Sequence, residues 1–219
     1  MVAVSDPLGR LRQEAARLLA VVDETLARCG APDHHPIWPL LRAVGLLPGD
    51  AVTEVVALSL EAFRERADLL RSHHERCAGV GDLVRAPSGW EGAAAEAAGA
   101  QLESARAGLG MLAAHAGVLA SLLADLAEWA GQGRGRLART LAKVLTSAQA
   151  VELTLDDTEP GARAQAAADI GAQVLAEVAA FWEGGGEIVR DRLARLEPEP
   201  AQRGRLPDAP AAGRIVVEF

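Results

Sequence analysis

The stretch Ser88-Gly89-Trp90-Glu91-Gly92 decides the reading of this chain. It lies between two long runs of helix-forming sequence, and a Trp-x-Gly turn joining amphipathic helices is a device for building a helical hairpin. C-terminal to it, apolar residues fall at Leu102, Ala105, Leu109, Leu112, Ala116, Leu119, Leu123, Leu126 and Ala130, in alternating steps of three and four. That is the heptad spacing of a helix packed along its length against another. N-terminal to it, Val56, Leu60, Phe63, Ala67, Leu70, His74 and Cys77 repeat the alternation. Two such stripes around a short break, Ala86 to Gly89, predict an antiparallel hairpin with helices over about 51–78 and 91–130. Leu60, Phe63, Leu70, Leu102, Leu109, Leu112, Leu119 and Leu123 are its expected pairing seam. Gly79 and Gly81 read as the end of the first helix. Pro87 reads as a block to continuation and Ser88 as the cap of the second helix. Trp90 is expected to bury its indole over the turn, with Gly92 allowing close approach.

Working outward, the rest of the chain also reads as helix, and the fold class is all-α: an elongated bundle of about five helices around the hairpin. Residues 1–50 hold a first helix over about 7–29, capped by Asp6, with the stripe Leu8, Leu11, Ala15, Leu18, Val22, Thr25 and Cys29. A Pro- and His-rich loop follows, in which Ile37-Trp38-Pro39-Leu40-Leu41 is expected to form at most a single turn. Residues 51–130 are the hairpin. Gly131-Gln132-Gly133-Arg134-Gly135 reads as a break, so 131–196 should carry two further packing helices, over about 136–155 and 162–196. The second has the stripe Ile170, Val174, Val178, Phe181, Gly185 and Ile188, and Gly184 to Gly186 predict a kink within it. Residues 197–219 read as a mobile tail rich in proline and charge.

Composition narrows the function. Aromatic residues are only 3% of the 219 and tyrosine is absent, while alanine, leucine, arginine and glutamate dominate, as suits long helices. A net charge of -8 and arginines interleaved with acids, as in Arg64-Glu65-Arg66, leave no basic face for nucleic acid. No secretory signal peptide is read, because Asp6, Arg10, Arg12 and Glu14 interrupt any apolar run. Ala107 to Ala124 carries no charged side chain and approaches the length of a membrane span. Its alanine and glycine content and its heptad spacing read instead as a seam, and no membrane span is expected.

Candidate chemistry is thin. Cys29, His34, His35, His73, His74 and Cys77 include the donor types zinc takes, with His73 and Cys77 at i, i+4. Cys29, His74 and Cys77 nevertheless fall on apolar stripes, where a cysteine packs as a small hydrophobe. A Cys29–Cys77 disulfide is a further alternative, relevant outside the cytoplasm. The glycines of 131–135 lack the strand, spacing and lysine of a phosphate loop. With no nucleophile elbow or zincin helix, no catalytic residue, metal or cofactor is assigned, and the chain reads as a non-enzyme.

The segment Gly89-Trp-Glu-Gly-Ala-Ala-Ala-Glu-Ala-Ala98, preceded by LEAFRERADLLRSHHERC, resembles the WxG superfamily of actinobacterial type VII (ESX) secretion. The likeness covers about residues 51–130, and the length suits its larger PE/PPE-like or EspB-like members. It implies a hairpin with Trp90 and Gly92 as turn and recognition residues. It also implies pairing with a second helical hairpin or the secretion machinery, or self-association, and export to the medium or cell surface without a signal peptide. Exported members or their partners carry a Tyr-x-x-x-Asp/Glu signal, which a chain without tyrosine cannot supply. Phe181 and Trp182 are not followed at i+4 by an acid. A cytoplasmic scaffold or chaperone-like bundle, or the targeting domain of a secreted toxin, are the alternative readings.

Overall fold

The structure, a computed structural model, describes residues 7–85, 89, 91–155 and 158–196. Among them are seven helices and no strand: α1 (Pro7–Cys29), α2 (Ile37–Val44), α3 (Pro48–Ala57), α4 (Leu60–Leu83), α5 (Ala93–Leu145), α6 (Ala148–Thr154) and α7 (Pro160–Ala194). The all-α class is as expected. The segmentation differs in several places, each for a local reason.

Pro39 does not prevent α2. It falls in the first turn, where the missing N–H has no intrahelical acceptor to lose. Ile37 is fully buried, and the Trp38 indole N–H donates to the carbonyl of Pro32 at 3.0 Å. The single helix expected over 51–78 is two helices. Leu58 and Ser59 are extended, and the Ser59 hydroxyl caps α4 by accepting from the Ala62 N–H at 3.1 Å. Gly79 and Gly81 do not end α4, which continues to Leu83; Gly81 is buried facing Leu109 of α5. Nor do the glycines of 131–135 break α5. A Cβ on Gly133 would sit 2.3 Å from the Phe181 ring, and one on Gly131 would meet the Leu60 side chain. These glycines let helices touch, and the packing offsets roughly 1 kcal/mol of lost helix propensity at each. The break falls instead at Thr146-Ser147, where Ser147 both donates to the Val144 carbonyl and caps α6 through the Ala150 N–H.

The core is assembled from α1, α2, α3, the C-terminal third of α5, α6 and α7. Leu8, Val22, Ile37, Val52, Leu141, Leu153, Ile170, Val174 and Val178 are its fully or almost fully buried centre. Of α5, Trp129, Ala130 and residues beyond them join or pack on this cluster. α7 lies antiparallel to α5, with Glu177 near Arg136, Phe181 against Gly133 and Arg192 on Asp125. It runs unbroken through Gly184 to Gly186, because Gly184 and Gly185 are the floor on which Trp129 lies.

Candidate interaction surface

α4 and the first half of α5 form an antiparallel pair that stands clear of this core. Leu60 lies beside Gly131, His74 beside Gly117, and Gly81 beside Leu109, with Asp82 and Arg106 4.0 Å apart near the tip. The His74 Nδ1 is 2.7 Å from the Ala113 carbonyl, a contact that ties the two helices midway. From Ala93 to about Ala120 this arm extends roughly 40 Å, at 1.5 Å per helical residue.

The seam of α4 lies where its spacing predicts. Leu60, Phe63, Leu70, His74 and Cys77 are half-buried and Ala67 and Gly81 are buried. On α5 the pattern is different. Leu102, Leu109, Leu119 and Leu123 are half-buried, but Leu112 is 59% exposed while its neighbour Ala113 is 5% exposed. The residues turned to α4 are Leu109, Ala113, Gly117, Ala120, Ala127 and Gly131. A straight α-helix advances 3.6 residues per turn, so a stripe written at 3.5 drifts around it. The small residues mark the true contact because they admit the closest approach, and Leu112 turns outward. Gly89 and Gly92 both have positive φ, +81° and +100°, and Gly92 is the residue preceding α5. A side chain at Gly92 would meet nothing within 4 Å, so its backbone angle is what requires glycine. Trp90, Pro87 and Ser88 lie outside the described residues, as does the tail after Leu196.

The other candidate groups do not converge. Cys29 is exposed at the end of α1 and Cys77 is half-buried on α4; both are free thiols. His73 lies beside Arg76 on α4. His35 is 8% exposed, accepts the Ile37 N–H at Nδ1 and donates from Nε2 to Asp169 at 3.0 Å, fastening the loop before α2 to α7. No group of three or more His, Cys, Asp or Glu suited to a metal occurs among the described residues.

Sequence reasoning missed three features, two of them at the root of the arm. Arg134, within the expected break, donates to the carbonyls of Val55, Val56 and Leu58 and so caps the end of α3. Trp129 stacks on Phe181 with centroids 4.1 Å apart. The clue was a glycine pair in α7 facing a tryptophan in a chain with few aromatics. Asp23 of α1 accepts the Gly49 N–H at the start of α3. Burial pushes its carboxyl up to about 6, aided by the charge of Asp50 and opposed by the Gly49 hydrogen bond.

α5 is also long and apolar enough to cross a membrane by length and composition, and only 17% of its most apolar window is buried. Much of that surface is the back of the arm, away from α4. No protein-family model, no curated protein and no solved structure matches this chain.

Proposed function

We propose that this protein is a non-catalytic interaction module that works by helix pairing through the α4–α5 arm. The observation that carries the reading is the uncovered back of α5, where Met111 and Leu112 are 62% and 59% exposed on a surface without charge. Contiguous exposed apolar surface of this kind marks association sites. The Trp-x-Gly motif and its flanking heptads support reading the module as part of type VII secretion, as a substrate exported, or co-exported with a partner that carries the tyrosine signal. Its destination would then be the medium or cell surface.

The test is export from an actinobacterial host with and without the type VII ATPase, alongside a Trp90→Ala variant whose helicity is checked by circular dichroism. ATPase-dependent appearance in the filtrate, lost in a folded Trp90→Ala protein, is expected. Retention of the wild-type chain while other substrates leave would overturn the secretion reading and favour a cytoplasmic scaffold. Recovery in a membrane fraction resistant to carbonate extraction would instead make α5 a span.

A further inference from the structure

A small cleft opens in the body, away from the arm, between the last turn of α1 and the first turn of α7. It encloses about 300 Å³ and is lined by Thr25, Arg28, Cys29, Thr158, Pro160 and Arg163. Thr25 and Cys29 are one helical turn apart, so both face it from α1. The Cys29 thiol is free and exposed. Thr25 is only 3% exposed, and its hydroxyl has no hydrogen-bond partner among the described residues. A buried hydroxyl in that position needs an acceptor that the described fold does not supply. Arg163 gives one N–H to the Leu153 carbonyl at 3.1 Å and keeps the rest of its guanidinium. Arg28 meets Glu24 at 3.6 Å, an ion pair more than half exposed on both sides. These lining residues bring together two cations, two hydroxyls and a thiol, and no acid.

We propose that this cleft makes Cys29 a site of reversible S-thiolation by a small disulfide whose halves carry carboxylates. The inference is independent of helix pairing through the arm. In the exchange, Cys29 gives up its proton and its sulfur attacks one sulfur of the disulfide. The new bond from Cys29 forms as the reagent's own S–S bond breaks. The departing thiolate takes the proton, and no further oxidant or reductant enters. The half that stays has its carboxylate within the field of Arg28 and Arg163, whose planar forks suit carboxylate oxygens. Thr25 supplies the remaining donor. A cleft of this size stands at the lower limit of small-molecule pockets, so it takes a half no larger than an amino acid or short peptide. A disulfide of similar size carrying amines would meet two like charges instead. The product is a thiol masked in oxidising surroundings and released by reduction.

The experiment uses the full chain with Cys77→Ser, which leaves Cys29 as its one thiol, and follows thiolation by intact mass. Oxidised glutathione supplies the anionic disulfide and cystamine the cationic one. The ratio of the two rates in the folded chain should favour oxidised glutathione over the ratio for the same chain unfolded in urea. Arg28→Gln and Arg163→Gln should each lower the glutathione rate about two- to fivefold, the size of a solvent-screened charge pair, without lowering the cystamine rate. Thr25→Val, of nearly the same shape, should slow the glutathione reaction alone. Dithiothreitol should restore the original mass. Loss of structure in a variant would move both rates together, and circular dichroism would report it. Equal charge ratios in folded and unfolded chains, or folded variants that shift both reagents alike, would overturn the proposal. So would a folded chain that stays unmodified while the unfolded one reacts. None of these results bears on export or helix pairing, so the two readings fail separately.

Discussion

Two glycines of α5, two residues apart, behave oppositely. A Cβ on Gly133 would overlap the Phe181 ring, which is held by its stack on Trp129. Gly133→Ala should therefore destabilise by about 1–3 kcal/mol in urea denaturation, even after the helix-propensity gain. On Gly135 the nearest atom to a Cβ is the flexible end of Arg139 at 3.8 Å, so Gly135→Ala should stabilise by up to about 1 kcal/mol. Asp23 sets a pH dependence of definite sign. Its carboxyl is raised from 3.8 to about 6, so the folded state holds the proton more tightly than the unfolded one. Stability from this group is fully present below 3.8 and is lost as pH rises toward 6. Asp23→Asn keeps an oxygen for the Gly49 N–H and should flatten that decline in melting temperature, the variant gaining on wild type above pH 6.

At the scale of elements, the breaks before α4 and α6 are set by polar side chains, while glycines with positive φ end α1 and α2 and precede α5. Ser59 and Ser147 cap the helices that follow them, and the Arg134 guanidinium closes α3 from within another helix. Arg134→Met should leave three carbonyls without their cation and cost roughly 2–3 kcal/mol, and Arg134→Lys should recover only part, having no planar fork. A denaturant midpoint measured for both variants checks this. The stripes of α1, α4 and α7 were legible because large side chains repeat on one face. The α4-facing side of α5 was not, because its contacts are alanine and glycine, which carry no periodic hydrophobic signal beside the leucines.

The whole molecule divides into a multi-helix body and a two-helix arm. α5 and α7 share the buried core below Ala130, whereas beyond about Ala120 each arm helix has a single neighbour. Amides of α4 and of α5 before Ala120 should exchange faster than those around Val174 and Val178, and should gain protection when the arm is paired, as read by hydrogen exchange with mass spectrometry. Sequence alone determined the helical class and, to within two residues, the extents of α1 and α7, because periodicity and terminal prolines are local signals. It did not determine that α5 runs through five residues containing three glycines, that α3 and α4 separate at Ser59, or which face of α5 stays bare. Those outcomes depend on which side chains meet across the fold: Phe181 over Gly133, Trp129 over Gly184 and Gly185, and Arg134 on the end of α3. Gly133, Gly184 and Gly185 each lie under an aromatic ring that needs the space a side chain would fill, and only the tertiary structure brings that ring there.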